Sequence, residues 1–239
     1  MADDFAPAVP SDALAQAART YAATGRVRLE PVLAPAAAQT LATSLGDDAP
    51  WSRVLNQGDK LWDLDRAMLA ELGPEQCAAL VDAVHAQARD GFQFHYNSIR
   101  VSEAAEERGA RGWPLDRLVD ALNSPRWLAL FRTLTGTPDI RLVDGQATRY
   151  EAGHFLTAHD DAVAGKNRVA AYVLSLTPDW RTEWGGMLQF HDTAGDLTCA
   201  LKPRFNALHV LRVPQKHSVS YVAPFAGRPR LSITGWLRG

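Results

Sequence analysis

From residue 140 onward the chain breaks into short apolar stretches of strand length separated by turn residues, and this rhythm limits the fold more than any other feature. The stretches Ile140 to Tyr150, Phe155 to Asp161, Arg168 to Thr177, Met187 to His191, Leu197 to Leu201, Ala207 to Val213, Ser218 to Val222 and Leu231 to Leu237 predict about eight strands. Strands at that spacing, with no helical pattern between them, pack as two facing sheets.

Residues 1–139 read differently. Helical spacing predicts an N-capped helix from Ser11 to Gly25, a second from Pro35 to about Leu45, a third from Gly73-Pro74 to Gly91, and a pair over Pro114 to Ala121 and Ser124-Pro125 to Leu134. Between them, Arg26 to Leu33, a pair turning near Gly58 and Asp59, and Phe92 to Val101 alternate as strands do. No Pro/Gly/Ser-rich linker separates the halves. The expected fold class is therefore α+β: a double-stranded β-helix, or jelly roll, with the N-terminal helices packed on one sheet. Residues 1–239 are expected to form a single domain, with 1–139 a helix-rich support region and 140–239 the jelly-roll core.

Composition removes several function classes. A net charge of -2 and a pI near 6.4 argue against a broad nucleic-acid-binding surface. Two distant cysteines, Cys77 and Cys199, offer neither a disulfide framework nor zinc spacing, and fit reduced thiols. The N-terminal Met-Ala-Asp-Asp-Phe lacks the basic and apolar pattern of a secretory signal, and no apolar run is long enough for a membrane span. A cytoplasmic protein without membrane contact is expected.

The chemistry concentrates in residues 147–161, Ala-Thr-Arg-Tyr-Glu-Ala-Gly-His-Phe-Leu-Thr-Ala-His-Asp-Asp. On an extended strand, His159 and Asp161 point to one face and Asp160 to the other. An imidazole and a carboxylate, joined by a second histidine, make the facial triad that holds non-haem Fe(II) with positions left open. His-x-Asp alone is a common tripeptide, so the third ligand matters. Of His191, His209 and His217, the last opens the strand-like Lys-His-Ser-Val-Ser-Tyr-Val and is the best candidate. His154 and His191 read as structural or rim residues, and His209, among Leu208, Val210 and Leu211, as a satisfied strand histidine. Arg230 begins the last strand, from which its fork of donors can hold a carboxylate. Arg228 is separated from that strand by Pro229 and is expected to stay in the turn.

With these residues assembled, the chain resembles the prolyl-hydroxylase branch of the Fe(II)/2-oxoglutarate oxygenases, in particular the ribosomal-protein prolyl hydroxylases. The similarity rests on Arg-Tyr-Glu-Ala-Gly-His-Phe-Leu-Thr-Ala-His-Asp-Asp, Trp-Gly-Gly-Met-Leu-Gln-Phe at 184–190, the His217 strand and the final Arg-Leu-Ser-Ile-Thr-Gly-Trp, and covers roughly residues 139–239. It implies a 2-oxoglutarate-dependent dioxygenase hydroxylating a prolyl residue of a ribosomal or translation-related protein, with succinate and CO2 as coproducts. It further implies Fe(II) held by His159, Asp161 and His217, 2-oxoglutarate held by Arg230 and Tyr150, O2 as co-reactant and ascorbate in support. Where several relatives carry a second cosubstrate tyrosine this chain has Ser175, and Tyr172 has the wrong strand parity to replace it. In the nearest relatives a further barrel domain follows the catalytic one, and a chain without that domain is expected here. Two other readings stay open at this stage: a hydroxylase of a small molecule such as a free amino acid, and a non-catalytic module that senses iron or 2-oxoglutarate.

Overall fold

A computed structural model describes residues 4–239. Helix α1 (Ser11–Thr24) ends where Gly25 enters the left-handed region at φ 71° and returns its N–H to the Tyr21 carbonyl. Pro10 holds the N-cap position, so Ser11 does not cap the helix as expected. Strand β1 (Arg26–Leu29) leads to α2 (Pro35–Ser44), and β2 (Ser52–Gln57) turns at Gly58 into β3 (Lys60–Leu64). Next come α3 (Arg66–Glu71), whose Asp65 side chain caps the Met68 N–H, α4 (Pro74–Ala88), β4 (Phe94–Arg100) and α5 (Ala105–Arg111). The helical pair is α6 (Pro114–Leu122) and α7 (Pro125–Thr135), the latter capped by Ser124 and closed by Gly136.

Helix α5 is not among the helices expected from the sequence. Its Ala-Glu-Glu-Arg-Gly-Ala-Arg has no apolar period, and tertiary contacts anchor it: Arg108 Nε donates to Asp120 at 2.7 Å, and Arg108 Nη1 donates to the Ser102 and Glu103 carbonyls at 2.8 Å each.

The second half supplies β5 (Leu142–Val143), β6 (Gln146–Tyr150), β7 (Phe155–His159), β8 (Arg168–Ser175), β9 (Leu188–His191), β10 (Leu197–Leu201), β11 (Ala207–Arg212), β12 (His217–Val219) and β13 (Arg230–Arg238). The single strand expected over Ile140 to Tyr150 is broken at Asp144-Gly145. There the Asp144 side chain replaces a ladder carbonyl, accepting the Trp236 N–H at 2.7 Å, while its own carbonyl accepts from the Tyr172 hydroxyl at 2.9 Å.

The sheet order is β1-β11-β8-β13-β6-β4-β7-β12-β9-β10, with β2 and β3 beside β4 and β5 beside β13. All pairings are antiparallel, and the sheet curls on itself as a jelly roll does. The N-terminal region contributes strands as well as helices, since β1 pairs with β11 and β4 bridges β6 and β7.

Strand alternation assigns the faces. Along β8 and β13, Tyr172, Leu174, Ile233 and Leu237 join Tyr21, Leu41, Leu118, Trp127, Phe131 and Leu134 in the core under the helices. Ala171, Val173 and Trp236 face the other way, into the roll, with Leu188, Phe190 and Leu211. Each large apolar side chain buried under the helices contributes about 1.5–3 kcal/mol. Trp127 also donates its indole N–H to the Phe5 carbonyl at 2.7 Å, tying the N-terminal segment to α7. No helix among the described residues is long and apolar enough to cross a membrane.

Three buried imidazoles set the acid limit of this fold. Burial, reinforced by nearby positive charge, lowers His154 to about 2, His209 to about 3 and His95 to about 4. In the unfolded chain each titrates near 6.5, so between these values the unfolded state binds more protons and stability falls as pH falls. The urea midpoint is expected to drop between pH 7 and pH 5, with a slope of up to about 1.4 kcal/mol per pH unit for each such histidine. A midpoint that stays constant over that interval would contradict the neutral burial of these rings.

Candidate active site

His159 is the last residue of β7 and His217 the first of β12, and the two are directly opposite in the ladder. Opposed residues of an antiparallel pair share a face, and here the two ring centroids are 4.2 Å apart. Asp161 lies beyond the end of β7 in the left-handed region, at φ 64°. Its carboxylate is therefore brought to the histidines by a turn and not by strand alternation, which corrects the reason for the convergence while keeping the residues. The carboxylate oxygens lie 3.6 Å from His159 Nε2 and 3.4 Å from His217 Nε2. One ligand atom from each of the three residues fits within 4.8 Å of the others. Asp160 turns outward and accepts the Ala162 N–H at 3.0 Å.

The hydrogen bonds behind the rings fix their tautomers. His159 Nδ1 is 3.0 Å from the Thr157 carbonyl, and His217 Nδ1 is 2.8 Å from that of Gln215. A carbonyl only accepts, so both Nδ1 atoms carry a proton and both Nε2 atoms are turned to the same point. Burial, and then the neighbouring His159, hold the His217 imidazole neutral at pH 7. Arg168 Nη1 donates to the Asp161 carbonyl at 3.0 Å, and its guanidinium stacks 3.5 Å from the Trp236 ring centroid. These contacts pin the turn that carries the carboxylate.

Arg230 opens β13 directly opposite Tyr150 in β6. Its guanidinium carbon lies 5.0 Å from the Tyr150 ring centroid, and Tyr150 stacks on Tyr96 at 5.0 Å. Burial pushes the Tyr150 phenol up, leaving it a protonated donor. Arg230 is itself buried, meets no acidic side chain among the described residues, and its Nε has no hydrogen-bond partner. A buried guanidinium without a counter-charge is costly, and a bound carboxylate would offset that cost. A cavity of about 210 Å³ is lined by His159, Asp161, His217, Tyr150 and Arg230 together. Two imidazoles and a carboxylate suit a divalent iron, and the arginine suits an acid, so these residues fit Fe(II) and a 2-oxo dicarboxylate.

The remaining sequence expectations sort out as follows. His154 packs on the buried His95 with ring centroids 4.3 Å apart, and His191 Nε2 lies 2.8 Å from Ser218 Oγ, so both stay outside the triad. Arg228 remains in the turn before β13, reaching the Pro178 carbonyl at 3.4 Å. Arg149 is largely buried between Asp47 at 2.7 Å and Glu151 at 2.9 Å. Trp180 and Trp184 pack edge to face at 5.2 Å, and Trp236 lines the cavity. Gly186 makes room for the arginine: a Cβ there would come within 3.3 Å of Arg230 Cδ. His209 is not the satisfied histidine expected, because its Nδ1 is buried without a partner. Phe92, Phe94 and Tyr96 were missed as cavity residues, although their alternation in the sequence places them on one face.

Residues 145–238 match the model of the 2OG-Fe(II) oxygenase superfamily. Over that stretch the chain is similar to that superfamily, and the relatives it resembles include prolyl hydroxylases. The prolyl 3-hydroxylase OGFOD1 of Mus musculus is 34% identical over 155 residues, which cover 62% of this chain and 28% of that protein. The chain thus spans less than a third of the length of this relative. A prolyl 4-hydroxylase of Pseudomonas putida superposes with a TM-score of 0.58 at 19% identity, covering 94% of this chain and 98% of that one. A Trichoplax adhaerens prolyl hydroxylase, solved with a hypoxia-inducible-factor degradation-domain peptide, superposes at 0.59 with 14% identity over 97% and 94% of the two chains. At those identities the solved structures bear on the fold, which is the jelly roll expected from the strand rhythm. For the superfamily, Fe(II), 2-oxoglutarate and O2 are the implied cofactor and co-reactants.

Proposed function

We propose that the protein is an Fe(II)- and 2-oxoglutarate-dependent dioxygenase that hydroxylates a prolyl residue of a protein, with succinate and CO2 as coproducts. The observation that carries this reading is the buried Arg230, without an acidic partner among the described residues, in one cavity with His159, Asp161 and His217. His159, Asp161 and His217 hold the iron, and Arg230 and Tyr150 hold the far carboxylate of the cosubstrate. The bound iron and 2-oxoglutarate supply the oxidation, in which one oxygen atom of O2 enters a C–H bond and the other enters succinate as CO2 leaves.

The chain's own residues bind, orient and exclude water. Nδ1 hydrogen bonds aim both imidazoles. The neutral Tyr150 phenol donates beside the guanidinium, and Leu156, Leu188, Leu211 and Val219 keep the cavity walls apolar. Low polarity strengthens the arginine–carboxylate pairing inside.

A polypeptide substrate is supported by a second hollow of about 370 Å³ that shares Phe94, Tyr96, Gln146 and Trp236 with the first and continues past Arg100, Glu103, Asp144 and Arg168. A hollow that shares lining with the first and extends beyond it suits an extended chain better than a free amino acid, which calls for a closed pocket. The Mus musculus relative is named for prolyl 3-hydroxylation, and the Trichoplax neighbour was solved with a peptide. The sequence resemblance favours a ribosomal or translation-related target in the cytoplasm, with residues 1–239 acting as one catalytic unit.

The test is succinate formation from 2-oxoglutarate with Fe(II) and ascorbate, in the presence and absence of prolyl peptides, with mass spectrometry locating the added oxygen. Peptide-dependent succinate with oxygen on proline is the expected outcome. Turnover only with a free amino acid would replace the protein substrate, and iron and 2-oxoglutarate binding without any turnover would leave a sensor.

A further inference from the structure

The sheet order begins at β1 and ends at β10, and residues of both strands line one cavity of about 580 Å³. It shares no lining residue with the cavity of the triad, and α1 contributes Gln16, Ala17 and Thr20 to its wall. Alternation sorts the side chains of β1. Val27 and Leu29 pack under the helices, so Arg26 and Arg28 project from the other face, Arg26 opposite Leu211 and Arg28 opposite His209 in the ladder to β11. The Arg26 guanidinium carbon lies 4.7 Å from the Phe190 ring centroid, and the side chain joins no ion pair among the described residues. Arg28 and Arg204 share a single carboxylate, that of Glu30, at 3.3 and 3.5 Å. His209 is 4% exposed and lines the cavity, yet its Nδ1 has no hydrogen-bond partner. The charges that bear on its ring, those of Arg28, Arg230 and Arg204, are all positive.

We propose that this cavity is a second ligand site, which takes a small phosphorylated molecule whose phosphoryl group bridges Arg26 and Arg28 beside the His209 imidazole. Buried polar atoms are nearly always paired, so the orphaned Nδ1 is explained by a partner that arrives with the ligand. Around Glu30, Arg26, Arg28 and Arg204 set three guanidinium groups against one carboxylate, so that partner is an anion. The spacing selects its kind. One arginine fork already fills a carboxylate, whereas two guanidinium groups on one strand face, about 7 Å apart along the backbone, suit the larger set of oxygens of a phosphoryl group. His209, held neutral by burial and then by the charge of Arg28, supplies a hydrogen bond without adding to the positive charge. Phe190 and Leu201 give the wall an apolar stretch that suits an organic body beyond the phosphate. The site needs neither iron nor 2-oxoglutarate, so it stands apart from the oxygenase reading.

The test is calorimetric titration of the full chain, kept free of metal so that no anion is counted at the triad, with inorganic phosphate, phenyl phosphate and benzoate at fixed ionic strength. Phenyl phosphate is expected to bind once per chain. It should bind more tightly than inorganic phosphate, which lacks the apolar body, and than benzoate, which lacks the phosphoryl group. Arg26→Ala should weaken it about tenfold, the loss of a hydrogen bond to a charged group. His209→Leu should weaken it as well, yet melt at or above the wild-type temperature without ligand, because it removes a buried polar atom that the fold leaves unpaired. Arg181→Ala, at an exposed arginine outside the cavity, should change nothing. Absence of binding, benzoate as tight as phenyl phosphate, undiminished affinity in both cavity variants, or an equal loss in Arg181→Ala overturns the proposal. If His209→Leu does not fold, Arg26→Ala, at a half-buried side chain, decides alone.

Discussion

His217→Ala and His159→Ala are each expected to abolish Fe(II) binding and reduce succinate formation by about 10³-fold or more, the factor that several kcal/mol of metal-derived stabilisation represents. Both imidazoles present Nε2 to the same point from opposed positions of one strand pair, so neither loss can be made good by a neighbour. His154 is turned to His95, and His191 to Ser218. The two variants should differ in stability. His217 is almost fully buried, with Phe190 at 6.5 Å, and truncation there leaves a cavity, whereas His159 sits nearer the rim against the half-exposed Phe92 at 5.6 Å. His159→Ala therefore gives the cleaner experiment, expected to melt near the wild-type temperature without iron and to show no stabilisation on adding Fe(II) or Mn(II). Retained stoichiometric metal binding in folded His159→Ala would show that the ligand set is misassigned.

The parts of this site that could be read from the sequence are those that depend on strand parity. His159 and His217 at strand ends and Arg230 at the start of the last strand follow from alternation and order in the chain, Tyr150 at the end of β6 follows from the family resemblance, and the fold follows from the strand rhythm after residue 139. What sequence reasoning misassigned depends on contacts between distant segments. Asp161 converges on the histidines through a left-handed turn held by Arg168, and no local pattern distinguishes that from two more residues of strand. Phe92, Phe94 and Tyr96 reach the cavity because β4 inserts between β6 and β7, a pairing across about sixty residues that periodicity cannot foresee. Helix α5 exists because Arg108 finds Asp120, and the interior polarity of His209 becomes visible only once β11 is laid against β8. Local propensity locates elements well; which side chains end up without partners is a property of the assembled sheet.

Gly185→Ala is expected to cost the largest share of stability of any substitution around the site. The residue sits at φ 69° and ψ -141°, backbone that is essentially reserved for glycine, and a Cβ built there would overlap the Tyr221 carbonyl oxygen. That carbonyl cannot step aside. Gly185 bridges Val222, the Ala223 N–H donates to the Trp184 carbonyl at 3.0 Å, and the Gly186 N–H donates to Tyr221 O at 3.4 Å, so the Trp-Gly-Gly segment is stitched to the chain that follows β12. Strain and backbone displacement together predict a loss of about 3 kcal/mol or more in urea unfolding. Gly195→Ala separates the two contributions: it also has positive φ, at 95°, but nothing lies within 4 Å of its added Cβ, so only strain of about 1–2 kcal/mol is expected. Because Gly186 seats the Arg230 side chain, Gly185→Ala should also weaken 2-oxoglutarate binding in whatever fraction folds, whereas Gly195→Ala should not. Equal stability of the two variants would mean that the segment can retreat from Tyr221, and the close approach would then have no part in holding the arginine in place.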